Sequence, residues 1–491
     1  MGQGSISRRT LLLAGAGALG GLIMRPPRAL GAVVEPRLQT LELGTISRGG
    51  RTIELPAGVD LVGLQWDGPN SADPRIRALL PGGRWGPWAS AGTHGHGPEA
   101  RSAGLRTGEP LWTGGARRLQ VAASAPLAGS RLHLIEAGGG RAGRASVARL
   151  QLAAPVLAAG AGQPPIIARQ VWAKGIQPPR VAPEYGAVEL GFVHHTENPN
   201  GYSAAQVPAM LRAIFAFHRN VNGWNDIGYN FVVDLYGRIF EARAGGIDEP
   251  VVGAHAGGYN YVSSGVAVLG SFSGTPASPA AKAALQRLLA WKLSLHGTPA
   301  SGRVTVRVNP TGASYSKYPA NAHVSLARIS GHRDADSTEC PGNVLYGELP
   351  GIRGRIRRLA GDPVAATLTV LGAVNAAPEA TAPAATAGEQ LLVSLKTLSG
   401  LPLAGASVQL QARTVTRRGL SVSETTVAEG TTDPQGRLTI TPAFAAGATR
   451  TLYVRALYLG GGEHGAAVSE AVAVAPQPAL TPPPAGTTPI A

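Results

Sequence analysis

A single cysteine, Cys340, occurs in 491 residues. No internal disulfide can staple this chain, so it must be held by apolar cores or by a bound group. The cysteine lies in Thr338-Glu339-Cys340-Pro341-Gly342, shortly after Gly331-His332-Arg333-Asp334. A lone thiol there has two readings. It is a small buried hydrophobe with surface histidines nearby, or it is a soft ligand for zinc, which favours cysteine sulfur and histidine nitrogen and needs a further ligand from elsewhere. Phe192-Val193-His194-His195-Thr196 offers that ligand upstream.

The length leaves room for about three domains of ordinary size, and 44% hydrophobic with 15% charged residues reads as a folded chain rather than a disordered polymer. Lysine and arginine number 44 against 29 acidic residues, a net charge of +15. That balance favours anionic partners such as an anionic cell wall. The basic residues are scattered among Gly and Ala instead of gathered in blocks, which weighs against nucleic acid. At the start, Arg8-Arg9 precede an apolar run ending near Met24, too short for an ordinary spanning helix, with small residues from Ala29 to Ala32. Residues 1–32 resemble a twin-arginine signal peptide cleaved near Ala32, an uncleaved anchor being the alternative. The expectation is an exported protein, secreted or associated with the cell wall, with no integral membrane segment after signal cleavage.

Short alternating segments punctuated by Gly and Pro fill residues 33–152, including Val59 to Trp66, Arg75 to Leu79, Arg117 to Val121 and Arg131 to Ile135. They predict an N-terminal β-sandwich-like domain. Trp66, Trp85, Trp88 and Trp112 concentrate the aromatics here; they read as core or loop-packing residues, with a sugar-stacking platform as the alternative. Residues 153–165, rich in Ala, Gly and Pro, read as a linker. The pattern is then mixed α and β over residues 166–360: a strand from Val188 to His194, a helix from a Ser203/Gln206 capping box to about Val221, a hairpin about Tyr236-Gly237, a strand from Val266, a helix from Ser278-Pro279 to Gly297, a surface hairpin within Gly302 to Arg328, and a basic helix from about Gly354. Residues 361–475 return to alternation and predict an immunoglobulin-like β-sandwich without cysteines. The tail, 476–491, is Pro-rich and read as disordered.

Four motifs in order, His194-His195-Thr196, Asp226-Ile227-Gly228-Tyr229-Asn230-Phe231, Val252-Gly253-Ala254-His255 and Gly331-His332-Arg333-Asp334 with Cys340-Pro341-Gly342, resemble the zinc-dependent N-acetylmuramoyl-L-alanine amidases of the type 2 amidase and peptidoglycan recognition protein family. The resemblance covers residues 166–360. It implies an α/β domain with a mixed sheet and flanking helices, a zinc held by His194, His332 and Cys340, and hydrolysis of the bond between N-acetylmuramic acid and L-alanine in peptidoglycan. Two imidazoles and a thiolate leave one position open, the pattern of a catalytic zinc site. The resemblance further assigns Tyr229 as donor to the developing oxyanion and Thr338 to a place near the reacting carbonyl, with His195 in a structural role. It puts His218, Asn222, Gly223, Trp224, Arg243, His255 and Asn260 against the muropeptide. Gly223-Trp224 with Arg243 match a combination associated with diaminopimelate in the stem, whose extra carboxylate a guanidinium can bind bidentately. The alternative is a non-catalytic peptidoglycan-binding protein, since the family includes members that keep the groove and lose the metal.

Overall fold

The structure is a computed structural model and describes residues 35–67, 72–80, 82–92, 104–137, 156–157, 162–371, 385–386, 388–415, 422–443 and 451–475. The expected export signal, the Pro-rich tail and most of the expected linker lie outside those residues.

The first third folds as two antiparallel sheets. One orders the strands Arg37–Ile46, Leu127–Glu136, Leu61–Asp67 and Leu105–Thr107, with Leu111–Trp112 also on Leu61–Asp67; the other orders Arg51–Glu54, Arg118–Ala122, Arg75–Ala78 and Ala89–Ser90. The alternation seen in the sequence is what packs them. Leu64 and Trp66 from one sheet meet Ile76, Leu119 and Val121 from the other in a single apolar cluster, while Leu61, on the same strand, packs against the central domain.

The middle of the chain builds a seven-stranded sheet from β1 (Val156–Leu157), β2 (Ile166–Ile167), β3 (Leu190–His195), β4 (Phe231–Val233), β5 (Ile239–Glu241), β6 (Ser263–Val268) and β7 (Ile329–Gly331), in the order β1-β2-β5-β4-β6-β3-β7. β3, the strand that carries the histidine pair, lies inside the sheet, one in from the edge strand β7, and is parallel to both neighbours. Such a strand is buried on both faces, which explains its continuous apolar run. Side chains alternate across it. Val193, Val266 and Val268 face the helices α3 (Pro279–Leu295) and α4 (Asn343–Ala360), whereas Val232, Ala267 and Leu269 face α2 (Val207–Ala216); a one-turn helix, α1 (Arg169–Trp172), packs beside α2.

Three expectations need correction. β1 falls inside the stretch read as linker and pairs antiparallel with β2, because Val-Leu is enough to extend an existing edge. α2 starts at Val207 rather than Ser203: Ser203 N donates to the Gln206 side-chain carbonyl at 2.7 Å, but Ser203 contributes no cap to the helix, whose first turn instead uses Pro208. α4 begins at Asn343, well before Gly354. Gly347, Pro350, Gly351 and Gly354 hide it from propensity, yet Leu345, Leu349, Ile352 and Ile356 repeat at helical spacing and are all buried. The second helix begins as expected, with Ser278 Oγ accepting from Ala281 N at 3.0 Å. Within Gly302 to Arg328, Arg303–Arg307 and His323–Ala327 form an antiparallel hairpin.

The last third forms a three-stranded sheet (Val364–Val370, Leu391–Thr397, Arg437–Ile440) and a six-stranded sheet that includes Ser407–Val415, Val422–Thr431 and Leu452–Tyr458. Leu391, Val393 and Leu395 of the first pack on Val408, Leu410 and Val454 of the second. No described helix is long and apolar enough to cross a membrane.

Candidate active site

His194 stands at the carboxyl end of β3, the end of a parallel strand where sites collect in α/β sheets. Being even-numbered on that strand, it shares a face with Phe192 and points away from α3 and α4. His332 opens a 3-10 turn directly after β7, the strand beside β3, and Cys340 closes the loop before α4. These paths bring the three together: one ligand atom from each of His194, His332 and Cys340 lies within 4.8 Å of the others, all buried. The Cys340 Sγ is 3.8 Å from His194 Nδ1, and the rings of His194 and His332 are 4.5 Å apart between centroids.

The loop geometry around Cys340 is set by backbone contacts. Thr338 Oγ1 accepts from Cys340 N at 3.1 Å, so the structure gives the threonine hydroxyl a bond to the cysteine backbone. The N–H of His195 points at the sulfur, 3.4 Å away. Gly342 has φ 89°, and a Cβ there would run into the Phe272 carbonyl, so the chain can leave Cys340 by this route only with glycine. Burial pushes the thiol well above its ordinary value, opposed by the His195 N–H and reinforced by Glu109 and Glu197.

A second layer holds the imidazoles. His332 Nε2 lies 2.9 Å from Asp336 Oδ2, the carboxylate–histidine arrangement that fixes a ring's tautomer and orientation. Asp336 Oδ2 also accepts from Gly257 N at 2.8 Å; burial nevertheless raises its carboxyl well above the usual range. His194 Nε2 is 3.2 Å from His255 Nδ1. His255 is fully buried and backs His194. Asn260 supports it in turn, its Oδ1 accepting from His255 N and Ala256 N at 2.8 and 3.1 Å. His195 turns to the other face of the sheet, where Nδ1 accepts from Phe272 N at 3.3 Å and Nε2 lies 2.9 Å from Glu197, which fits its expected structural role.

Tyr229 completes the cluster. Its ring is 5.5 Å from that of His194 and 5.8 Å from that of His218, which lies 4.6 Å from Trp224. A row of rings therefore runs from the surface loop to the metal-ligand set. His218 is buried, its Nδ1 accepting from Gly228 N at 3.1 Å, and so orders the loop before Tyr229. Asn222 is half-buried and Gly223 exposed. Arg243 donates to the Ile227 carbonyl at 3.0 Å and, with Asn260, lines a small cleft of about 60 Å³ between Pro179–Glu184 and Val252–Gly253; burial lowers its pKa. The structure thus gathers His194, His332, Cys340, Tyr229, His255 and His218 closely, and sets Arg243 and Asn260 in a neighbouring cleft.

Glu109 has no counterpart in the sequence reading. It belongs to the loop between Leu105–Thr107 and Leu111–Trp112, in the N-terminal sheets, and is buried. After burial it is the largest influence raising the Tyr229 hydroxyl well above 10, ahead of Cys340 and Glu197. Its neighbours dock that loop here. Trp112 N donates to Asn198 Oδ1 at 2.6 Å, Leu61 and Trp112 share an apolar cluster with Tyr229, and a Cβ on Gly63 would run into the Phe217 ring. A carboxylate on a Gly-Glu-Pro loop has no periodicity or spacing to mark it.

The donor set suits zinc: two nitrogens and one sulfur, buried, converging, and backed by a carboxylate. Fold and site together define a class, an α/β domain with a two-histidine, one-cysteine centre at a strand end. The family model described as N-acetylmuramoyl-L-alanine amidase matches residues 184–343, and one described as Rv3811 N-terminal galactose-binding domain-like matches residues 38–149. Peptidoglycan-recognition protein SC1a/b of Drosophila simulans is 30% identical over 164 residues, 33% of this chain and 73% of that protein. The N-acetylmuramoyl-L-alanine amidase of Mus musculus is 31% identical over 192 residues, 38% of this chain and 31% of that protein. Among solved structures, wild-type Drosophila PGRP-LB aligns with 38% of this chain and 91% of its own at 26% identity, TM-score 0.29. The chain belongs to the N-acetylmuramoyl-L-alanine amidase and peptidoglycan-recognition protein family.

Proposed function

We propose that this protein hydrolyses the amide bond between N-acetylmuramic acid and L-alanine of peptidoglycan stem peptides, with zinc as cofactor. The observation that carries the reading is the buried convergence of His194, His332 and Cys340 beside Tyr229, inside the matched family region. Zinc bound there would polarise the amide carbonyl and lower the pKa of water to about 7. The protein's own groups do the rest. Asp336 and His255 hold the two imidazoles in place. Tyr229, kept protonated by burial and by neighbouring negative charge, presents a hydroxyl that donates to the oxygen as it gains charge. Thr338 holds the Cys340 backbone, and its part near the reacting carbonyl rests on the family resemblance.

A non-catalytic peptidoglycan-binding protein is the second reading, because peptidoglycan-recognition proteins stand among the relatives. The intact His194, His332, Cys340 and Tyr229 favour hydrolysis. Cys340→Ser separates the two: on the enzyme reading it abolishes cleavage and leaves binding to sacculi intact, and a wild-type chain that binds but never cleaves would favour recognition.

Diaminopimelate-type stems are the preferred substrate in this proposal. Arg243 lines the cleft beside the ring row, and its guanidinium would pair with the extra carboxylate that lysine-type stems lack. Matched muropeptides test this; faster cleavage of the lysine form would end it. Export through the twin-arginine signal, an anionic cell wall as surroundings and an immunoglobulin-like identity for the C-terminal sheets complete the proposal.

A further inference from the structure

The four tryptophans of the N-terminal sheets are not alike. Trp66 and Trp112 are core, 0% and 4% exposed, whereas Trp88 is 40% exposed. Trp88 stands at the start of the edge strand Ala89–Ser90, next to Pro87, which is also exposed; Gly82, Gly83 and Arg84 on the same loop are exposed as well. Among the described residues its indole is partly accessible.

What lies beside Trp88 is ordered. Arg77, on the outward face of Arg75–Ala78, places its guanidinium carbon 4.4 Å from the Trp88 ring centroid and 5.2 Å from that of Trp85. Its Nε donates to Gln120 Oε1 at 2.7 Å, and Gln120 Nε2 donates to Thr52 Oγ1 at 3.2 Å. These three residues sit opposite one another across three strands, Thr52 paired with Gln120 and Gln120 with Arg77. The outward face thus carries a straight polar row ending in a fixed guanidinium and an indole held by it.

We infer that Trp88, Arg77, Gln120 and Thr52 form a saccharide-binding platform for the glycan strand of peptidoglycan, apart from the amidase site. A pyranose ring has one face of axial C–H bonds, apolar and flat enough to lie on an indole, and a rim of hydroxyl and N-acetyl groups that need donors and acceptors. A sheet face suits a linear polymer because successive sugars extend along the row. The choice of polymer rests on the proposed substrate. A second contact on the strand that bears the scissile stem raises the effective concentration of substrate at the amidase site with no change in that site. Packing alone does not account for the geometry, since an indole used only to pin the loop would be covered by it.

The test is equilibrium binding of the full chain to glycan strands stripped of stem peptides, with dextran, which lacks N-acetyl groups, as control. The wild type binds the strands and not dextran. Trp88→Ala binds about tenfold more weakly or worse, an effect of the size that loss of one aromatic anchor gives, while Trp88→Phe stays near wild type. Melting temperature and cleavage of a small soluble muropeptide are unchanged in Trp88→Ala. Equal strand binding by Trp88→Ala, no strand binding by the wild type, equal binding of dextran, or a loss shared by Trp88→Phe with a lowered melting temperature would each overturn the inference. Strand binding without muropeptide cleavage would end the amidase reading and leave this one standing.

Discussion

At the scale of single residues, the site divides into groups that would touch metal or substrate and groups that hold them. Replacing Tyr229 by Phe removes one oxyanion donor from a dry site and is expected to lower turnover about 10²–10³-fold, with zinc content unchanged by elemental analysis. Asp336→Asn should act through His332 instead, weakening metal affinity about 10–100-fold. Competition with a chromogenic chelator reads this directly, and unchanged affinity would show that Asp336 does not support the metal ligand. His194, His332 and Cys340 were legible as candidate ligands through the resemblance of four ordered motifs, since spacing alone left the thiol two readings. His255 and His218 were legible as site residues, but their roles were not, since a sequence names a histidine without saying which way its ring turns. Glu109 was invisible, because burial of its loop on Asn198 and the Tyr229 cluster is a property of tertiary packing. Its charge makes a prediction. In Glu109→Gln the Tyr229 hydroxyl loses the leading electrostatic cause of its elevation, so its pKa falls toward 10, which ultraviolet difference titration of the full chain compared with Tyr229→Phe would detect.

At the scale of elements, the loop between β7 and α4 positions the thiol, and Gly342 is its tightest point. Gly342→Ala forces a side chain into the left-handed region against the Phe272 backbone, a cost of about 1–3 kcal/mol from the backbone conformation before any clash. The expected result is a lower melting temperature together with weaker zinc binding, because Cys340 moves with the loop. Normal metal binding in a destabilised Gly342→Ala protein would show that the loop does not set the thiol. The elements themselves were read well where one period dominated. β3 and α3 have uninterrupted patterns, and α3 has a clear cap. α4 starts earlier than its local sequence suggests, because its glycines and Pro350 lower intrinsic helix preference while packing of Leu345 and Leu349 in the core supplies what propensity lacks.

At the scale of the whole molecule, the flanking sheets are bolted to the central domain by different means. The N-terminal sheets share an apolar cluster with α2. The C-terminal sheets meet the loop after β5 through buried charge: Arg455, nearly inaccessible, pairs with Glu249 at 2.7 Å and Glu424 at 2.6 Å, and also with Asp248. Arg455→Ala removes the shared partner of three carboxylates but leaves Arg413, 3.0 Å from Glu249, so destabilisation below the about 3–5 kcal/mol of a stranded buried charge is expected. Lys292 lies under the same junction, its Nζ donating to the carbonyls of Ile247 and Glu249 at 2.9 and 2.8 Å, and burial lowers its pKa to about 7. Between about pH 7 and 10.5 the unfolded chain holds a proton on this lysine that the folded chain gives up, so its contribution to stability grows as pH rises. Denaturant unfolding of Lys292→Met against wild type should show that slope removed, up to about 1.4 kcal/mol per pH unit. None of this junction was legible in the sequence, whose charges give no sign of partners some two hundred residues apart. Zinc-dependent amide hydrolysis is tested by the release of L-alanine amino termini from diaminopimelate-type peptidoglycan by the purified chain, with chelator and with zinc restored. The expected result is release that chelation stops and zinc returns. A folded, zinc-loaded protein that binds the same sacculi and releases nothing would contradict it.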